Sequence, residues 1–172
     1  MRKVLLFELE DTEAYTKALL SCTNEFSRFA LFTSNGWAGS SVSVIAAIDA
    51  VEELIPAEDT FGTLQTFYDQ RKDWLFGFLS YDLKNETEDL SSGNRDGLGF
   101  PLLHFFQPKY VFVFRNNRVE IHFLPAVSSE KEVRQLFDRL LSESKRTAGP
   151  GFSEGLTPEI HPRVSKEEYL RT

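Results

Sequence analysis

Four carboxylates, Asp82, Glu86, Glu88 and Asp89, fall within eight residues directly after an apolar run. Paired carboxylates beside the end of a buried strand can work as acid and base or hold a hard cation. The same residues also suit a solvated turn with a capping Asp, and with Lys84 among them and no His nearby that alternative carries more weight. His104, His122 and His161 have neither the i, i+4 spacing nor the paired clustering of a metal site. His122 alternates with Ile121 and Phe123, which is the pattern of a strand histidine. Cys22, the single cysteine, is a possible nucleophile but falls on the apolar stripe of a helix, so packing is the expected role and no intrachain disulfide can form. The stretch Ser34-Asn35-Gly36-Trp37-Ala38-Gly39-Ser40-Ser41 lacks the Lys of a phosphate loop and the Gly-x-Ser-x-Gly of a nucleophile elbow. It is either a plain turn or a loop that holds a small ligand with backbone groups and hydroxyls. Taken residue by residue, none of these groups amounts to an active site.

The elements that would position these groups read as follows. Residues 4–9 form a first strand, and Asp11-Thr12 cap a helix in which Tyr15, Ala18, Leu19 and Cys22 share a face. Residues 26–32 and 42–48 are strands separated by the Ser34-Asn35-Gly36 turn, and 60–68 is a helix with Phe61, Leu64, Phe67 and Tyr68 on one side. Residues 74–81 are almost continuously apolar, as a central strand covered on both faces should be, and Gly77 within it implies close approach of another backbone or a ring. Residues 109–115 and 118–124 form a hairpin about Asn116-Asn117. Ser129 and Glu132 make a capping box ahead of the amphipathic helix containing Val133, Leu136, Phe137, Leu140 and Leu141. Gly149-Pro150-Gly151, Pro158 and Pro162 give the following stretch linker chemistry, and a second capping box, Ser165 with Glu168, opens a helix just before Thr172. The expected organisation is an α+β domain over 1–144, a linker over 145–164 and the start of a further domain over 165–172.

Composition narrows the function classes. A chain of 172 residues with 41% hydrophobic content supports one core, and its sixteen Phe make that core aromatic. Nineteen basic against 26 acidic residues give a net charge of −7, and no basic cluster is interleaved with aromatics, which argues against nucleic acid as a partner. No segment approaches the ~18 apolar residues of a membrane span, and Glu8, Glu10 and Asp11 cut short the apolar start that a signal peptide would need. A cytoplasmic location is the expectation.

The run Gly77-Phe78-Leu79-Ser80-Tyr81-Asp82-Leu83, followed by Glu88, Leu90 and Phe100-Pro101, resembles the Gly-x-x-x-Tyr-Asp-Leu…Glu-x-Leu…Pro run of a known family. That family is the N-terminal domain of component I of aminodeoxychorismate (para-aminobenzoate) synthase and of anthranilate synthase. Residues 29–36 are similar to its strand and ligand loop, 109–124 to its hairpin, and Ser165-Lys166-Glu167-Glu168-Tyr169 to the Ser/Thr-x-x-x-Tyr start of its catalytic domain. The resemblance implies an α+β fold of antiparallel, orthogonally packed sheets flanked by helices. It also implies amination of chorismate with Mg²⁺ held by glutamates, ammonia from a glutamine amidotransferase subunit and, in the aminodeoxychorismate branch, a lysine nucleophile. Those groups belong to the family's C-terminal domain, so the resemblance places no catalytic residue and no metal on this chain.

What the resemblance does place here is a vestigial tryptophan-type pocket at Thr33, Ser34 and Ser43. Thr33 stands where an acidic residue is common and Val44 where an Arg is, so the partners of a ligand ammonium and carboxylate are both missing. Charge-assisted contacts of that kind are worth ~1.5–3 kcal/mol each. The loss favours the aminodeoxychorismate branch, serving para-aminobenzoate and folate synthesis, over anthranilate synthase and tryptophan synthesis. A free-standing small-ligand-binding module is the alternative of another class.

Overall fold

A computed structural model describes residues 1–89, 97–147, 162 and 164–171. The fold is α+β, built on one antiparallel six-stranded sheet flanked by helices. The strands are β1 (Lys3–Glu8), β2 (Phe29–Thr33), β3 (Val44–Leu54), β4 (Phe76–Leu79), β5 (Leu103–Arg115) and β6 (Arg118–Phe123). Their order is β1-β6-β5-β3-β2, with β4 added to the free stretch of β5. The helices are α1 (Thr12–Ser21), α2 (Thr60–Arg71), α3 (Glu130–Thr147) and the short α4 (Lys166–Tyr169).

Local chemistry accounts for most of these elements. Asp11 accepts the Ala14 N–H at 2.8 Å and starts α1. Ser129 and Glu132 exchange bonds at the start of α3, and Ser165 and Glu168 do the same for α4. At the β5–β6 hairpin Arg115 faces Arg118, and Asn116 takes the positive φ of 52° that the two-residue turn demands. α3 runs on through Thr147, so the first three residues expected to be linker are helical. Gly149-Pro150-Gly151, Pro158, His161 and Leu90 lie outside the described residues.

The main core lies between one face of the sheet and the pair α1 and α3. Tyr15 and Leu19 of α1 meet Val133, Phe137 and Leu140 of α3 over Phe112, Phe114, Ile121 and Phe123 of the sheet. Phe137 stacks on Phe7 at 4.0 Å and on Tyr15 at 5.3 Å between ring centroids. A smaller cluster on the opposite face joins Phe76 and Phe106 to Ala47, Val111 and Val113. The strand alternation changes phase between the two clusters. Even-numbered Tyr110, Phe112 and Phe114 serve the first, while Phe106 serves the second, and the switch coincides with a register shift between Ala50 and Glu52 opposite Pro108 and Gln107.

Residues 74–81 do not form a central strand. β4 is four residues long, pairs only with β5, and leaves Trp74, Phe78, Leu79 and Tyr81 exposed. The central strand is β5, which starts at Leu103, six residues earlier than its hydrophobic alternation shows. The Gly77 expectation holds, since a Cβ there would run into the His104 carbonyl oxygen and lie 2.6 Å from Phe105 Cα. On α2, Phe67 is buried but Phe61 and Tyr68 are exposed, so the apolar face expected there is largely open.

Candidate functional site

The Tyr-Asp-Leu segment is a 3₁₀ turn, Tyr81–Glu86, and its charged groups are tied into the scaffold. Asp59, the residue before α2, makes no side-chain cap. Glu86 caps that helix from 26 residues away, accepting the Thr60 N–H at 3.1 Å and the Thr60 hydroxyl, with Thr60 fully buried. Asp82 binds Lys84 at 3.1 Å, and the Lys84 ammonium stands 4.5 Å from the centre of the Tyr81 ring. Among the described residues no group of three or more His, Cys, Asp or Glu is placed to hold a metal ion.

Glu88 and Asp89 are exposed, whereas candidates away from this turn are engaged. His104 pairs with Glu53 at 3.0 Å and His122 with Glu120 at 3.1 Å. Cys22 is buried, and that burial pushes its thiol above the ordinary range, the reverse of what a thiolate nucleophile needs.

A second polar node was not legible at all. Between Phe106, where the pairing of β5 with β4 ends, and Tyr110, where its pairing with β6 begins, the edge of β5 has no strand beside it on that side. Arg2 fills the gap. Its guanidinium donates to the carbonyls of Pro108 at 2.5 Å, Lys109 at 3.2 Å and His122 at 3.4 Å, and pairs with both oxygens of Asp73 at 2.8 and 2.9 Å. Gln107 donates to the same carboxylate at 2.7 Å. The Arg2 and Asp73 side chains are only 6% and 11% exposed. Burial pushes the Asp73 carboxyl up, but the bonds from Arg2, Gln107 and the Trp74 N–H outweigh it and hold the group below the usual carboxylate range.

The expected ligand residues lie at the other end of β3 and β5. Ser34 N–H donates to Ser43 O at 2.9 Å, Ser43 N–H donates to Phe114 O at 3.0 Å, and the Ser43 hydroxyl reaches the same carbonyl at 3.3 Å. Asn35 and Gly36, with φ of 50° and 75°, turn the chain, and Trp37 N–H closes that turn on Ser34 O at 3.0 Å. Thr33 and Ser43 both open onto a cleft of ≈ 780 Å³, while Ser34 is beside it without lining it and Trp37 is exposed elsewhere. Leu20, Leu31 and Val44 give the cleft an apolar floor.

Its rim is acidic in a way the sequence did not disclose. Glu10, Asp11 and Glu13 at the start of α1 line it, with Asn116 and Asn117 of the hairpin. Thr12 donates to Asn116 O at 3.0 Å and so fixes the start of α1 against the hairpin. Asp11 and Asn116-Asn117 had been legible only as a cap and a turn. Their meeting follows from β1 leading into α1 beside the β5–β6 hairpin, which no local pattern encodes.

No family model matches the chain, and no curated protein does either. Among the described residues no helix is long and apolar enough to cross a membrane.

Proposed function

We propose that this chain is the N-terminal, non-catalytic domain of an aminodeoxychorismate synthase component I, a transferase that aminates chorismate together with a glutamine amidotransferase subunit. The observation that supports this reading most is the state of the residues carrying the resemblance. Gly77 packs against the β5 backbone and Asp82 is paired with Lys84, as residues with a structural role would be, and Glu86 of the same turn, outside the resembling run, caps α2. The antiparallel sheet flanked by helices agrees with the implied fold, whose orthogonal packing of sheets is the finer part of the proposal.

The test supplies a chorismate-binding domain stripped of its own N-terminal domain, with chorismate, Mg²⁺ and ammonium, in the presence and absence of this chain. The chain alone consumes no chorismate, and adding it restores amination by the stripped domain. Turnover by the chain alone, or no restoration, overturns the reading.

A second reading, a small-ligand-binding module, has the cleft behind it. Tryptophan fits it poorly, because Val44 offers its carboxylate no partner and Glu10, Asp11 and Glu13 repel it. Calorimetry with tryptophan and tryptamine separates the cases. The module reading requires the amine without a carboxylate to bind more tightly, and micromolar tryptophan binding instead favours the anthranilate synthase branch.

A further inference from the structure

β1 is the terminal strand of the sheet, paired along one side with β6 from Lys3 opposite Phe123 to Glu8 opposite Arg118. Its other side has no strand partner among the described residues. Leu5 and Phe7 point into the main core, while Val4 and Leu6, on the opposite face, are 47% and 55% exposed. Terminal strands are usually protected from edge-to-edge pairing by a central charge, a Pro or a bulge. β1 has none of these, for its pairing is continuous and its charges, Lys3 and Glu8, stand at its two ends.

We propose that β1 is a docking edge for a second copy of this chain, the two β1 strands pairing antiparallel with each Leu5 opposite the other. Symmetry restricts the register. A two-fold axis normal to the sheet keeps every side chain on its own face, and directly opposite residues must share a face. Only registers that pair even with even and odd with odd positions are therefore open. Centring on Leu6 brings Glu8 against Val4, an ion against an apolar side chain, and centring on Val4 shortens the overlap and sets Arg2 against Leu6. Centring on Leu5 places Val4 against Leu6 twice over, covering the exposed face, and sets Glu8 opposite Arg2; Lys3 falls opposite Phe7, but on the core face, where Phe7 is already stacked on Phe137 and Lys3 is held by Glu130.

Charge complementarity favours the same register. Arg2 walls a cavity of ≈ 300 Å³ shared with Arg71, Lys72, Asp73 and Trp74. In that cavity Arg2 is matched by Asp73 and Arg71 by Glu52, whereas among the described residues the Lys72 ammonium has only Asp69, at 4.0 Å. Glu8 of the second copy enters there as the partner for Lys72. Glu8 is 67% exposed and bonded to Arg118 at 2.7 Å, which leaves an oxygen for a second cation. The other terminal strand, β2, carries no charged residue and offers no such match.

Sedimentation of the chain, tagged at its C-terminus, tests this with circular dichroism as the check on folding. The expected result is a monomer–dimer equilibrium that weakens with salt. Leu6→Lys raises the dissociation constant about tenfold or more. Glu8→Lys and Lys72→Glu each weaken the dimer, and the two together in one chain restore it. A monomer at all concentrations overturns the proposal, as does a dimer indifferent to Leu6→Lys, one abolished by Phe32→Lys or Phe78→Lys instead, or a double variant no better than the singles.

Discussion

The two ends of the β3–β5 strand pair treat polar side chains in opposite ways. Where Leu54 faces Phe105, the chain spends Arg2, Asp73, Gln107 and Glu86 on closing backbone gaps, and their groups are bonded to partners far away in sequence. Where Val44 faces Phe114, Thr33, Ser43 and the carboxylates at the start of α1 surround an open cleft; Thr33 and Asp11 bond to near neighbours, and Ser43 bonds across to a Phe114 carbonyl that its own N–H already fills. The first end carries the residues that resemble a known motif, and there they act as structure. The second has weaker sequence signals and the more accessible chemistry. A motif thus shows where a fold is constrained, which need not be where a ligand goes.

This contrast is broken most severely at Asp73. Asp73→Asn leaves the Arg2 guanidinium buried without its counter-charge, and the expected cost is about 3 kcal/mol in urea denaturation. The pH dependence has a definite sign. Since the folded carboxyl is held below its ordinary value, its contribution is complete above the unfolded pKa of about 4 and is lost as pH falls through the folded value. Asp73→Asn should therefore flatten the acid limb of a stability–pH curve while leaving its neutral limb parallel to the parent's.

Gly77 comes next. Because a methyl there meets the backbone of His104 and Phe105, and not the movable tip of a side chain, β4 must shift away from β5. Gly77→Ala should cost about 2 kcal/mol, in the usual range for overpacking, and should raise amide exchange across residues 76–79 before the rest of the sheet.

How much of this could be read in advance depended on whether the cause was local. The caps at Asp11, Ser129 and Ser165 and the Asn116-Asn117 turn are each set within four residues, and all are as expected. An apolar run such as 74–81 implies cover on both faces, whereas here Phe76 reaches the core and Trp74, Phe78, Leu79 and Tyr81 stay open. The central strand reaches back past Lys109 to Leu103 through Pro108, a residue disfavoured in a strand interior. The proline is accommodated where the register shifts and Arg2 takes over its carbonyl. β3 likewise continues to Leu54 through Asp49, whose positive φ of 57° looks like an ending. The Arg2–Asp73 pair spans 71 positions and the cleft draws on four separate segments, so both depend on topology alone.

Glu86 tests whether a carboxylate in the turn after β4 is structural in the manner described. Glu86→Ala removes the side-chain acceptor of the Thr60 N–H at the start of α2, with an expected cost of about 1 kcal/mol. Asp59→Ala at the position where a cap would ordinarily be sought should cost less, since Asp59 makes no side-chain cap. Thermal melts of the two variants side by side decide the point, and equal losses would mean that the long-range cap contributes nothing.

The smallest effect is expected at the cleft, and its smallness is what sharpens the comparison. Ser43 is exposed, and its hydroxyl supplements a carbonyl that already accepts the Ser43 N–H. Removing the hydroxyl leaves no buried group unsatisfied, so Ser43→Ala should alter stability by no more than about 0.5 kcal/mol. Thr33→Val should behave likewise apart from the loss of one turn bond, from Asn35 N–H to the Thr33 hydroxyl at 3.1 Å. Residues that cost little to remove and still line a cavity are free to serve a ligand. If either substitution instead destabilised the chain as much as Glu86→Ala does, the cleft would be a second structural node, and the distinction between the two ends of the strand pair would disappear.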